Sequence, residues 1–235
     1  MTSAERRSLE SAKRIVVKIG SRSLIGEKER FEEIAAQIAS LVAMGKEVLL
    51  VSSGAVAAGR KRLGIAERPK QLALLQAVAA AGQSALMRSY ELAFEPHGLR
   101  AAQILLTHAD LAARERYLNA RNALEALLEL GVVPIINEND TVSVDELRFG
   151  DNDQLAAMVA ALASADLLVL LTDVEGVLDA DGKRIPLVSD VDAVLELVRP
   201  PTDDVGLGGM ASKIEAARRA TMSGVPVIIG DARDP

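Results

Sequence analysis

One doubly wound α/β domain is the fold class this sequence predicts, on three observations. Short apolar or β-branched runs of strand length alternate with longer segments whose apolar residues recur at helical spacing. The runs "VVPIIN" and "ADLLVLLTD" are apolar almost throughout, as strands covered on both faces of a parallel sheet must be. Nearly every run ends in Gly, Ser, Thr, Asn or Asp, so a parallel sheet would collect these residues along one rim. No internal repeat, linker-like stretch or low-complexity segment interrupts the pattern.

After a polar lead-in, "RIVVKIG" (residues 14–20) predicts a buried strand. "RFEEIAAQIASLVAMG" places Phe31, Ile34, Ile38, Leu41 and Val42 at helical spacing, with Gly45 as a stop. "KEVLLVSSG" is the next strand. "SSGAVAAGRKRLG" opens a helix at once, because Ser53 and Gly54 can turn tightly and a serine oxygen can cap the first free N–H groups. Residues 71–95 predict a long Ala-rich helix, "LRAAQILLT" a strand and "ERYLNARNALEALLELG" a helix. A helix over residues 153–163 separates "VVPIIN" from "ADLLVLLTD". "GVLDADGKRIPLVSDV" reads as a hairpin excursion around Asp181 and Gly182, a good turn pair. "GGMASKIEAARRATMSG" is a final helix, followed by the strand "VPVIIG".

The 235 residues are 49% hydrophobic and 26% charged, enough to bury a sizeable core. Aromatics make up 2% with no Trp, which argues against a surface that stacks nucleic-acid bases. A net charge of −6 argues against broad attraction to nucleic acid or an anionic membrane, so an anionic substrate needs locally placed cations. The absence of Cys excludes a disulfide framework, thiol catalysis and thiolate zinc sites. The start "MTSAERRSLESAKR" lacks the apolar core of a signal peptide, and no run reaches the roughly 18 apolar residues of a membrane span. A cytoplasmic protein with no nucleic-acid or membrane partner is the expectation.

The densest polar stretch is "VVPIINENDTVSVDELRFGDNDQ", residues 132–154. A solvated loop would look similar. However, Asn137, Asn139 and Asp140 end one strand while Asp151, Asn152 and Asp153 begin a helix, and in an open α/β sheet both places lie at the ligand-binding rim. Gly20, Ser21, Ser52 to Gly54, Thr107, Thr172 and Asp173 end other strands. Turn residues would give the same composition, yet exposed backbone N–H groups among small polar residues also suit phosphates.

Lys18 lies inside the apolar run "IVVKIG". An edge strand would tolerate it. In a buried strand it must snorkel to the end or meet a negative group. Lys213 falls in the first turn of the last predicted helix, where the macrodipole disfavours a cation, just after the glycine loop "GLGGM". No GxxxxGK[ST] occurs, and "GLGGMA" follows no strand, so neither a Walker loop nor a dinucleotide fingerprint is indicated. At ~4 Å and an effective dielectric of about 20, each lysine–phosphate charge pair amounts to about 4 kcal/mol before desolvation. Asp140, Asp151, Asp153 and Asp173 lack DxDxDG spacing, so Mg2+ carried in by a nucleotide fits better than a dedicated metal cage. His97 and His108 are isolated and read as surface or capping residues.

"VVKIGS", "VSSGAVAAGRKRLG", "LLTHADLAARERYLNARNAL", "VVPIINENDTV", "FGDNDQLAA", "LLLTDVEGVL" and "GGMASKIEAA" occur in colinear order from residue 15 to about residue 230. Together they resemble the glutamate 5-kinases of the amino acid kinase superfamily. The resemblance implies a three-layer α/β/α sandwich with a mainly parallel open sheet, ATP and Mg2+ as cofactors, and phosphorylation of the γ-carboxylate of L-glutamate, the first step of proline biosynthesis. By position, Lys18 and Lys213 would neutralise the transferring phosphoryl group and Asp153 would orient them. Ser53, Asp140 and Asn152 would hold glutamate, while Thr172, Asp173, Gly208, Gly209 and Met210 would face ATP. It also implies a homo-oligomer, feedback inhibition by proline and a downstream glutamyl phosphate reductase. A single kinase domain over residues 1–235, without the PUA domain many relatives append, is expected. The glycine loop departs from the family in reading "VGLGGM" where Thr usually precedes the paired glycines. Two alternatives share the fold: another amino acid kinase acting on N-acetylglutamate, carbamate or a nucleoside monophosphate, and a non-catalytic ATP-binding regulatory protein. "INEND" with "GDND" argues against the first, and the presence of both lysines against the second.

Overall fold

In the computed structural model, residues 9–21, 24, 28–143, 152–179, 181–197 and 209–233 are described. Six strands form one sheet in the order β3-β4-β2-β1-β5-β6. They are β1 (Arg14–Ile19), β2 (Glu47–Ser52), β3 (Arg100–Leu106), β4 (Val132–Glu138), β5 (Leu167–Thr172) and β6 (Val227–Asp231). Every pairing among them is parallel. All six C-terminal ends therefore open on one rim, where the sequence collects its small polar residues.

Strand alternation separates two cores. Val16, Leu49, Val51, Ile136, Leu168 and Leu170 face one way. Against them pack Leu155 and Val159 of α6 (Asn152–Leu162), Leu124 of α5 (Arg114–Glu129) and Ala216 and Ala220 of α8 (Met210–Met222). Ile15, Val17, Ile19, Val48, Leu50 and Ile135 face the other way. That side is covered by Phe31, Ile34 and Ile38 of α1 (Lys28–Ala43) and by Leu86, Met87, Tyr90 and Phe94 of α3 (Leu72–Phe94). The molecule is thus an α/β/α sandwich. Each fully buried aliphatic side chain adds about 1.5–3 kcal/mol, which explains why apolar strands dominate the sheet.

Between β2 and α3 lies α2 (Ala55–Leu63), which packs on α3 backbone to backbone. A Cβ at Gly59 would lie 1.8 Å from the Val78 carbonyl oxygen, and one at Gly82 would lie 1.8 Å from that of Ala55. Only glycine permits this approach.

Several expectations change. Ser53 does not cap α2. Gly54 occupies the N-cap at φ 107° with no side-chain cap, and the Ser53 hydroxyl serves the rim instead. The excursion does turn back on itself around Asp181 and Gly182, as expected, with antiparallel backbone hydrogen bonds from Asp179 to Lys183 and from Ile185 to Val177, but among the described residues its arms pair only through the single bridge Leu178 to Arg184. Two short helices lacked a periodic signal, α4 (His108–Ala112) and α7 (Val191–Leu197). Thr107 is a helix cap, since it and Asp110 form a reciprocal capping box on α4.

Candidate active site

The chain leaves β1 for β2 on one side and later returns to β5 on the other, so the strand order reverses at β1. Ligands bind outside the carboxyl ends of strands at such a point. Lys18 stands there. It pairs in register with Val51 and Leu170, so its strand is central and the edge-strand explanation does not hold.

Alternation puts Lys18 on the face of Val16, toward α6 and α8. There its Nζ meets Asp153 Oδ1 at 2.5 Å, and Lys213 Nζ of α8 meets Oδ2 at 3.0 Å. Asp153 is 0% exposed and each lysine 6%. Burial opposes ionisation of Asp153, but the charges and hydrogen bonds of the two ammonium groups outweigh it and hold the carboxyl below the usual carboxylate range. Ser212 Oγ lies 3.5 Å from Oδ2. Two cations on one carboxylate leave this trio with an excess of positive charge, arranged by three different elements at the rim.

Beside the trio, on the β2 and β4 side, the Asn152 side chain ties the exits of those two strands together. Its Nδ2 donates to the Ser52 carbonyl (2.8 Å), Ser53 Oγ (2.9 Å) and Asn137 Oδ1 (2.9 Å). Asn137 Oδ1 also accepts the Glu138 backbone N–H at 3.0 Å, and Asn137 Nδ2 donates to Gln83 Oε1 of α3 at 2.8 Å. Ser52 Oγ is hydrogen-bonded to the buried Tyr90 hydroxyl at 2.9 Å, and burial raises that phenol's pKa. Asp140 lies half-buried in the turn after β4, and Gln76 Nε2 of α3 donates to Ser143 at the end of that turn.

On the β5 and β6 side, Thr172 is buried at the end of β5, and its Oγ1 donates to Asp173 Oδ1 at 3.2 Å. Arg233 Nη2 donates to the Asp173 carbonyl at 3.1 Å, fastening the chain after β6 to the exit of β5. Gly209 is the N-cap of α8 with no side-chain cap, and Met210 opens that helix and packs with Val177, Val194 and Ile214. Gly208 and Asp151 lie outside the described residues.

The structure thus gathers Lys18, Asp153, Lys213, Asn152 and Ser53 into adjoining hydrogen-bonded groups, with Asp140 at the exit of β4 and Thr172, Asp173, Gly209 and Met210 on the opposite side. Gln83, Glu138 and Ser212 were not singled out in the sequence. A signal existed for Gln83, since it falls on the buried stripe of α3 between Ala79 and Leu86. Glu138 is 5% exposed and its Oε2 lies 4.0 Å from His108 Nδ1, so His108 is a half-buried neighbour of the rim and not simply a surface residue. His97 is exposed. Among the described residues no group of three or more His, Asp and Glu forms a metal cluster, and no helix is long and apolar enough to cross a membrane.

Residues 13–231 match the model of the amino acid kinase family. The chain is 52% identical to glutamate 5-kinase of Thermus thermophilus over 96% of its length and 63% of that protein's. It is 50% identical to glutamate 5-kinase of Pelobacter propionicus over 92% of its length and 61% of the relative's, so it spans about six tenths of the curated relatives it matches. In three dimensions it is similar to carbamate kinase from Giardia lamblia bound to AMP-PNP, with a TM-score of 0.69, 15% identity and coverage of 96% of this chain and 95% of the other. N-acetylglutamate synthase from Neisseria gonorrhoeae gives the same TM-score at 17% identity, over 97% of this chain and 57% of that one.

Proposed function

The chain belongs to the amino acid kinase family, and from that premise we propose that it transfers the γ-phosphoryl group of ATP to the γ-carboxylate of L-glutamate, as the first step of proline biosynthesis. The observation that carries the reading is the buried Lys18–Asp153–Lys213 trio at the point where the strand order reverses. About 50% identity to glutamate 5-kinases supports glutamate as the acceptor. The 15% likeness to a carbamate kinase carries the fold alone.

In this reading the two sides of β1 divide the substrates. Thr172, Asp173 and the glycine loop through Gly208, Gly209 and Met210 face MgATP, with the magnesium entering as part of the nucleotide substrate. Ser53, Asn152 and Asp140 hold glutamate, Asp140 as counter-ion to its α-ammonium. A γ-carboxylate oxygen forms a bond to the γ-phosphorus as the bond from that phosphorus to the bridging β-phosphate oxygen breaks, and ADP leaves. The acceptor is already ionised at neutral pH, so no base is needed. What the protein must supply is alignment and positive charge, which Lys18 and Lys213 provide while Asp153 keeps both aimed. Residues 1–235 act as one kinase domain of a cytoplasmic homo-oligomer, inhibited by proline at the glutamate subsite, whose labile acyl phosphate a reductase consumes.

The test is ADP release with MgATP across L-glutamate, N-acetylglutamate and carbamate, with hydroxylamine present to trap an acyl phosphate. Glutamate alone is expected to give both ADP and a hydroxamate. Turnover with N-acetylglutamate at a comparable kcat/KM would overturn the acceptor assignment, and no turnover with any acceptor would overturn the catalytic reading.

A further inference from the structure

The direction of each hydrogen bond on the acceptor side can be deduced, because two of the groups act in one way only. The backbone N–H of Glu138 can only donate, so the Asn137 atom it meets is the carbonyl Oδ1. Asn137 Nδ2 must then donate, and Gln83 must answer with Oε1. The Ser52 carbonyl can only accept, so Asn152 meets it with Nδ2, and that same amide reaches Asn137 Oδ1. This leaves Gln83 Nε2. It is a buried amide donor, on a side chain 8% exposed, with no hydrogen-bond partner among the described residues.

Such a group is costly where an aliphatic side chain would fit. Gln83 sits on the stripe of α3 that otherwise buries Leu75, Val78, Ala79, Leu86 and Met87. The helix cannot roll to relieve it, because the adjacent Gly82 is pressed against the backbone of α2, where even a Cβ would lie 1.8 Å from the Ala55 oxygen. A rigidly held donor, one amide away from the residue that positions Asn152, has the chemistry to receive a carboxylate oxygen.

We propose that Gln83 is a specificity-determining residue of the acceptor site: its Oε1 holds Asn137, and through it Asn152, while its Nε2 donates to a carboxylate oxygen of the bound acidic amino acid. The inference rests on the acceptor assignment above. Two substitutions separate its parts. Gln83→Glu preserves size and the acceptor toward Asn137 but replaces the N–H donor with oxygen. Gln83→Met preserves approximate volume and removes both functions.

Steady-state kinetics of the full chain, varying glutamate and ATP separately, provide the test. Both variants are expected to raise KM for glutamate by about tenfold or more, as loss of a hydrogen bond to a charged group predicts. Gln83→Glu should be the worse, through like-charge repulsion, with kcat and KM for ATP within about twofold of the parent as an uninvolved nucleotide side requires. Gln83→Glu with an unchanged KM for glutamate overturns the donor role, even if Gln83→Met fails to fold. A fall in kcat with both KM values unchanged also overturns it. If the parent chain makes no hydroxamate from glutamate, the acceptor assignment fails and this inference falls with it. If the parent does and the Gln83→Glu KM stays put, this inference alone fails.

Discussion

Lys18 occupies a strand position whose neighbours in register, Val51 and Leu170, are both fully buried aliphatic residues. Desolvating an ammonium group there is tolerable because Asp153 meets it at 2.5 Å, and the same carboxylate restrains Lys213. Both cations are therefore aligned before any substrate arrives, and in the proposed phosphoryl transfer their benefit would fall in the transition state rather than in ground-state binding. Lys18→Ala and Lys213→Ala are each expected to lower kcat and kcat/KM together, by about a hundredfold or more, the scale seen when one preorganised charge stabiliser is removed. A variant with the parent's kcat and only a raised KM for ATP would refute that role. These positions could be singled out in the sequence because each breaks a local rule: a charge in an apolar strand, a cation in a first helical turn, carboxylates beside an apolar helix. Gln83 breaks one as well, as a polar side chain on the buried stripe of its helix, and Ser52 stands out only as a polar strand end, but neither pattern names a partner. Their significance lies in contacts across 54 and 38 residues of sequence separation, to Asn137 and Tyr90, which local pattern does not encode.

At the scale of elements, the position of Gln83 depends on how α3 meets α2. Gly59 and Gly82 remove the side chains that would hold the two backbones apart. Gly82→Ala is expected to cost at least about 1–3 kcal/mol, the usual range for overpacking, because backbone rather than a flexible side chain stands in the way. Denaturant midpoints measure this, with Gly230→Ala as control, since a Cβ there meets nothing within 4 Å. Equal shifts for the two would show that the close approach is not a constraint. Strands and long helices were legible in the sequence because burial enforces their periodicity. Residues 71–95 predicted a helix observed at Leu72–Phe94, and residues 153–163 one observed at Asn152–Leu162. Where local chemistry decides, legibility ended. The helix Ala55–Leu63 begins on a left-handed Gly54 because Ser53 is committed to Asn152, a partner 99 residues away.

At the scale of the molecule, five carboxylates among the described residues are held below their ordinary range, by partners that range from a local helix cap to strands distant in sequence. Asp166 accepts the backbone N–H groups of Arg14 and Lys13, and Glu125 accepts from the Arg14 guanidinium. Burial opposes the ionisation of Asp110 and Asp153, but the Thr107 hydrogen bonds outweigh it at the first and the two lysines at the second. Asp231, hydrogen-bonded by the Arg233 side chain, falls to about 2. The sign of the pH dependence follows. A carboxylate whose folded pKa is depressed binds fewer protons when folded than when unfolded, so its stabilisation is fully present above the unfolded value of about 4 and is lost as pH falls through the folded value. These five groups therefore predict a stability that is flat between about pH 7 and pH 5 and declines steadily below about pH 4. Asp153→Asn should lower the neutral-pH stability, because it leaves two buried ammonium groups without this carboxylate, and breaking a buried pair costs about 3–5 kcal/mol. It should also make the acid decline shallower, since one titrating group has gone. Urea midpoints of both proteins from about pH 7 to pH 3 decide the matter: a parent that gains stability between pH 5 and pH 3, or a variant whose decline is as steep as the parent's, would mean that the carboxylate between the two lysines is not coupled to folding as its geometry requires.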